Sequence, residues 1–284
     1  MQSLRQVLTS TLPLAAALAM AADSGSAWAQ GRLDAQYEVT LAGIPIGKGS
    51  WAVDITDTRY SATVNGTTVG LMHTFAGGKG TSVARGTVQA GKPVLSVYES
   101  NIATRRKTDD IRLSIANGTV KEVKVEPPPD DGPGRVPVTD AHRRDVSDPL
   151  TGSLMRVGGT GDPLSAQACQ NRLAIFDGRL RYDLHLAYKR MDTVRAERGY
   201  AGPVVVCSVI FAPVAGYNPS RYAIKYISGL RDMEVWLAPI AGTRVLVPFR
   251  AEGPSPVGRV VLEATQFVSN PLPSRASING INAQ

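Results

Sequence analysis

The sequence predicts a mainly β protein: an antiparallel sheet curled into a barrel or half-barrel, with one or two short helices. Three observations predict it. Apolar and polar residues alternate with period two in segment after segment, turn dipeptides separate the segments, and helical signals are confined to two short stretches. The 28 glycines and 19 prolines among 284 residues suit the turns and edges of such a sheet. An apolar content of 43% excludes wholesale disorder. Two cysteines cannot build a disulfide lattice.

Residues 1–29 read as a secretory signal peptide. Arg5 supplies the basic start, the apolar middle runs from Leu12 to Ala22, and Asp23, Ser24 and Gly25 end it. Ala27-Trp28-Ala29 has the small-x-small form of a cleavage site, so the expected mature chain begins at Gln30 and is periplasmic. The residue after the cleavage point is Gln30 with no cysteine nearby, so a lipid anchor there is not expected, and no apolar stretch outside the first thirty residues reaches the length of a spanning helix. Removing the leader takes away one base and one acid, Arg5 and Asp23, and leaves the net charge at +7.

The strands follow in order. Tyr37, Val39 and Leu41 alternate with Gln36, Glu38 and Thr40; Trp51, Val53 and Ile55 repeat the pattern, as do Tyr60, Ala62 and Val64. Ile111, Leu113 and Ile115 come next. The longest run is Leu180, Tyr182, Leu184, Leu186 and Tyr188, followed by Tyr222, Ile224 and Tyr226, then Met233, Val235 and Leu237, then Val260, Leu262 and Ala264. A wet face on each strand argues against a parallel sheet covered on both sides. Asn65-Gly66, Gly77-Gly78, Asn117-Gly118 and Asp177-Gly178 read as turns.

Two short helices are expected before the long strand. One runs from Asp148 to Arg156 with Asp148 as N-cap and Pro149 in the first turn; the other occupies 162–175, capped by Asp162. The proline-rich, acidic stretch 126–137 is read as a long loop within a single domain spanning 30–268. Residues 269–284 lack periodicity and read as a flexible tail.

In an exported chain, Cys169 and Cys207 have one possible intrachain pairing. Closing that loop is worth about 3–4 kcal/mol in the chain-entropy model; two buried free thiols are the alternative. No nucleophile elbow, zinc-protease helix, phosphate loop or dinucleotide fingerprint is present, and His73, His142 and His185 lack metal spacing. No catalytic residue, metal or cofactor is therefore assigned. The positive charge is interleaved with acids along the chain, which does not describe a nucleic-acid footprint.

The stretch from Cys207 to Phe267 is the most distinctive. It contains Cys207-Ser208-Val209-Ile210-Phe211-Ala212-Pro213, Arg231-Asp232-Met233-Glu234-Val235-Trp236-Leu237-Ala238-Pro239, Val247-Pro248-Phe249-Arg250 and Pro256-Val257-Gly258. With the Phe176-Asp177-Gly178-Arg179 turn and the opening Tyr37-Glu38-Val39, it resembles the exported proteobacterial family called domain of unknown function 3108. That resemblance implies export and one β-rich domain, and it carries no catalytic residues.

Trp236 shares a strand face with Asp232 and Glu234. It is either an exposed ligand platform or core, depending on whether that face is wet. Trp236, Tyr226, Arg231 and Arg250 are the candidate ligand-binding residues. The leading expectation is a non-enzymatic protein that binds or places an envelope component, with lipid or lipoprotein as the first ligand and an acidic glycan as the second. One rival is an enzyme acting on cell-wall or surface polysaccharide, with Asp177, Asp183, Asp232 and Glu234 as the available acids. Another is an envelope scaffold.

Overall fold

The computed structural model describes residues 30–70, 73, 77–129 and 132–273. The expected leader at 1–29 lies outside them, as does the tail beyond 273. The elements are β1 (Gly31–Leu41), β2 (Ile44–Ile55), β3 (Arg59–Thr68), β4 (Gly78–Gln89), β5 (Lys92–Thr104), β6 (Thr108–Ala116) and β7 (Thr119–Glu126), then α1 (Pro149–Gly152), β8 (Met155–Arg156), β9 (Arg172–Phe176) and β10 (Arg181–Arg195). After these come β11 (Arg198–Gly199), β12 (Ala201–Ala215), α2 (Tyr222–Gly229), β13 (Met233–Pro239), β14 (Val245–Ser255) and β15 (Gly258–Pro271).

All strands join one sheet in the order β7-β6-β5-β4-β3-β2-β1-β15-β14-β13-β12-β10-β9, with β11 against β15 and β8 against β14. Neighbours are antiparallel except β11 and β15. The first and last strands pair in the middle, from Gly31 with Pro271 to Leu41 with Val260. The sheet is not closed, because its path ends at β7 and β9.

The seam between those edges is bridged by the chain that connects them. Thr119 of β7 bridges to Arg144, and Ser147 bridges to Ile175 of β9. Phe176 N–H donates to Ser147 O at 2.8 Å. Beside the seam, the Arg179 guanidinium donates to Asp109 Oδ1 and to Pro127 O, both at 2.9 Å. The β9–β10 turn thus sits against β6 and the end of β7, so the sheet curls until its two edges face a shared strap.

Two apolar clusters pack on this sheet. The larger gathers Leu33, Val53, Leu113, Phe176, Val206, Phe249 and Phe267, among others. The smaller holds Cys169, Val205, Cys207, Leu237 and Leu246 with Met155 and Val157. Val204, Val205, Val206 and Cys207 are all 0% exposed. Consecutive strand residues point to opposite faces, so β12 is covered on both sides, as its unbroken apolar run requires. The cystine joins Cys169, on a 3-10 turn at Ala166–Cys169, to β12.

The structure departs from the sequence reading in several places. Residues 222–229 are helix rather than strand. Tyr222 and Tyr226 stack at i, i+4 with centroids 5.9 Å apart, a pairing only a helix permits. Residues 162–175 are not a helix: Asp162 Oδ1 accepts from Leu164 N–H at 2.8 Å, a 3-10 turn follows, and β9 then pairs with β10. The Asn65-Gly66 pair lies inside β3, where Gly66 stands in register with Gly49 of β2 and Gly80 of β4. Gly66 is strand because β2 and β4 pair with it on both sides; the close backbone approach is at its partner Gly49, where a Cβ would come 2.7 Å from Asn65 O. Finally, β15 runs on to Pro271, held by β1 and by Leu272 N–H donating to Gln30 O at 2.9 Å. Partner strands order a segment that composition alone reads as tail.

The helix expected over Asp148–Arg156 is cut to Pro149–Gly152, because Met155 and Arg156 pair with Leu246 and Val245 as β8; its start and the Asn117-Gly118 turn match. Asp148 caps α1, its carboxylate accepting from Leu150 N–H at 2.9 Å and Thr151 N–H at 3.2 Å, with Pro149 in the first turn. Asn117 and Gly118 take φ of 52° and 70°, the paired left-handed values of a tight hairpin.

Candidate functional site

An apolar cleft of about 720 Å³ lies between α2 and the sheet. Its floor is one face of the C-terminal strands: Leu184 and Leu186 of β10, Val209 of β12, Val235 of β13, Ala251 of β14 and Leu262 of β15. Register explains why these side chains meet. Leu186 pairs with Val209, Val235 with Ala251, and Ala251 with Leu262, and residues directly opposite in a ladder share a face. Pro149 and Gly152 of α1, with Ile175 of β9, close one end.

The roof is α2. Ala223, Ile227 and Leu230 recur at i, i+4 and i+7 and line the cleft with Tyr226. A helix with that pattern normally buries its stripe, yet no residue of α2 is buried. Its apolar face is half-covered and borders the cleft instead of closing into packed core. The volume falls inside the range of roughly 300–1,000 Å³ usual for small-molecule sites.

Two carboxylates reach the rim, and both are neutralised. Glu234 accepts from Lys189 and, at 2.8 Å, from Arg190. Burial pushes its carboxyl up, but those hydrogen bonds and positive charges outweigh burial and hold it below the ordinary range. Glu252 pairs with Arg250 at 2.6 Å and Arg259 at 3.0 Å.

The four sequence-selected residues do not form one site. Tyr226 lines the cleft. Trp236 is 5% exposed and belongs to the larger core cluster, so it is core and not a wet platform. Its indole N–H donates to Asp192 Oδ2 at 2.9 Å, and the Arg190 and Arg250 guanidiniums lie over its ring at 5.3 and 5.0 Å. Arg250 is thus committed to Trp236, Glu252 and Glu263. Arg231 donates to Ser228 O and Leu230 O just beyond the end of α2. Sequence reasoning missed the apolar floor and roof; the repeat at 223, 227 and 230 was the available signal.

The other acids have structural partners. Asp183 is 1% exposed and accepts from Arg172 at 2.5 Å and Arg181 at 2.8 Å. Burial pushes its carboxyl up, and the two arginines more than reverse that. Asp177 accepts from Arg179 N–H and Leu180 N–H in the β9–β10 turn; burial raises it, only partly offset by those bonds. Asp232 lies 3.6 Å from Arg259. Among the described residues, no three of His, Cys, Asp and Glu converge as metal ligands.

A family model described as "Protein of unknown function (DUF3108)" matches residues 36–265. No curated protein matches the chain. Among solved structures, the chain is similar to a β-barrel-like protein of domain of unknown function DUF1849 from Brucella abortus. The identity is 8% and the TM-score 0.48, over 84% of this chain and 97% of that one. With four-fifths of its length inside the family model, this chain belongs to the DUF3108 family.

Proposed function

We propose that the chain is an exported periplasmic protein that binds the apolar part of an envelope component, a lipid or the acyl portion of a lipoprotein, in the cleft beneath α2. The observation that carries this reading is a helix whose apolar stripe faces a cleft rather than core. Apolar surface left open in a folded chain is disfavoured unless something covers it. A ligand with hydrocarbon chains would cover both floor and roof. Export is supported by the leader pattern and by a cystine, which persists in oxidising compartments.

The test is to purify the protein from periplasm, extract it for lipid and weigh it by native mass spectrometry. A bound acyl species is expected. A naphthylamine fluorescent probe should enter the emptied cleft, and Ala223→Trp, which fills the roof from an exposed position, should exclude it. Recovery of empty protein that also takes up no probe would overturn the reading.

A further inference from the structure

The large apolar side chains most open to solvent are gathered at one place. Val257 is 72% exposed, Tyr222 68% and Ile44 59%. Val257 tips the β14–β15 turn, and Ile44 follows the β1–β2 turn. These turns are neighbours: Ala42 N–H donates to Arg259 O at 2.9 Å, and a Cβ on Gly258 would stand 2.7 Å from Ala42 Cβ. Tyr222 opens α2 and lines the cleft together with Pro254 and Pro256 of the same β14–β15 region. Tyr222 and the β14–β15 turn that carries Val257 border the cleft, and Ile44 stands on the turn next to that one. Single exposed apolar residues are ordinary, whereas a group beside an apolar opening marks a docking face.

The charge of these segments indicates what docks. Residues 42–46, 218–232 and 254–259 carry Arg221, Lys225, Arg231 and Arg259 against the acid Asp232. Arg259 is engaged by Asp232 and Glu252, and Glu234 and Glu252 at the rim are matched by their own basic partners. The positive surplus of this face therefore rests on Arg221, Lys225 and Arg231 around α2. Exposed aliphatic tips beside a tyrosine and several cations match a lipid interface: apolar groups enter the headgroup region while cations meet anionic lipid. A protein partner of ordinary composition would not require that excess of positive charge.

We propose that this face docks onto an anionic lipid bilayer and turns the cleft toward the membrane. An apolar ligand then moves between bilayer and cleft without crossing water. The docking stands on the exposed residues and their charge; its purpose rests on the reading of the cleft as a ligand site. With few anchors the attachment is weak, reversible and reduced by salt.

The experiment is co-sedimentation of the folded chain with vesicles of phosphatidylglycerol and phosphatidylethanolamine, or of phosphatidylcholine alone, at low and high salt. Binding to the anionic vesicles is expected, weakening with salt. An Ile44→Ser/Val257→Ser variant and a Lys225→Glu variant should each lose about tenfold in affinity. Ile102→Ser, which changes a 45% exposed residue on β5 outside these segments, should bind as the wild type does. Wild-type protein that ignores anionic vesicles, or a double variant that binds undiminished, would overturn the proposal. So would rim variants that lose a protein partner while keeping vesicle binding. Probe titration in solution separates the two readings. Probe uptake without vesicle binding removes docking and leaves the cleft site; vesicle binding through these residues without probe uptake does the reverse.

Discussion

Reducing the Cys169–Cys207 cystine should lower stability by an amount the chain itself specifies. The bridge closes a segment of 38 residues. In the chain-entropy model, a loop of that length removes about 13 cal/mol/K from the unfolded ensemble, or about 4 kcal/mol at room temperature. The folded side changes little, because both sulfurs are 0% exposed and lie among Val205, Leu237 and Met155. A reduced thiol behaves there as a small apolar group. Comparing oxidised and reduced forms of one sequence also avoids the cavity that Cys→Ala would introduce.

The assay is urea unfolding followed by tryptophan fluorescence, with and without dithiothreitol. At an m value of about 3 kcal/mol/M, the midpoint should fall by about 1.3 M. The slope should also rise, since the reduced unfolded chain exposes more surface. A midpoint shift under about 0.3 M would refute the reasoning. It would mean that residues between the cysteines keep their closure when unfolded, or that the bridge strains the native 3-10 turn.

Four further substitutions test other parts of the fold. Asp183→Asn strips a buried carboxylate from Arg172 and Arg181 and should cost about 2–3 kcal/mol near neutral pH. Because the folded carboxyl is held below its unfolded value, its stabilisation is present above about pH 4 and is lost as pH falls through the folded value; the gap between wild type and variant in urea midpoint should close in acid. Gly216→Ala combines a φ of 82° with a Cβ only 2.0 Å from Arg179 O, and a loss of about 3 kcal/mol or more is expected in thermal melts. Gly159→Ala, at φ 71° with no neighbour within 4 Å, should cost only about 1–2 kcal/mol; equal losses would show that the contact is not what matters. Trp236→Phe keeps an aromatic ring but deletes both the donor to Asp192 and part of the buried indole, for about 2–3 kcal/mol, and combining it with Asp192→Ala should cost less than the sum of the two single changes by the shared hydrogen bond.

Strands such as β1, β2, β3 and β6 were legible because each buries one face against a continuous core, and period two is the mark of that arrangement; β4, β5 and β7, rich in Gly, Ser, Thr and charged residues, were not read as strands. Leu33, Ala35 and Tyr37 of β1 are buried while Arg32, Asp34 and Gln36 between them are exposed. The α1 cap was legible because Asp-Pro acts locally, whatever the sheet does. The failures came where long-range pairing decides. Arg172–Phe176 becomes strand because β10 lies alongside it, and the preceding residues become a turn tied to Cys207. Ser269 joins β15 because its hydroxyl accepts from Ala241 N–H at 2.7 Å and β1 supplies a ladder. Trp236 was ambiguous for a related reason. Its face carries acids, but Arg190 and Arg250 close over the ring and exclude water from it, and no strand pattern states where a guanidinium from another strand will fall.

The misreading of Tyr222, Ile224 and Tyr226 bears most directly on function. A residue set spaced at 222, 224 and 226 satisfies period two, while 222, 223, 226, 227 and 230 satisfies the helical period, so this segment is apolar on more than one side. A strand there would have extended the sheet and sealed its own apolar surface by pairing. A core helix would have buried its stripe. α2 does neither: it stands over the floor formed by β10, β12 and β13 with every residue at least partly open. An open sheet whose edges are held by a strap can leave room beneath such a helix, whereas a fully closed small barrel fills its interior with side chains. The surplus apolar surface on α2 and the unfinished closure of the sheet are therefore two sides of one design. Filling the cleft with side chains, as in Ala223→Trp, should raise stability while removing ligand uptake, the trade expected where a fold keeps surface uncovered for a ligand.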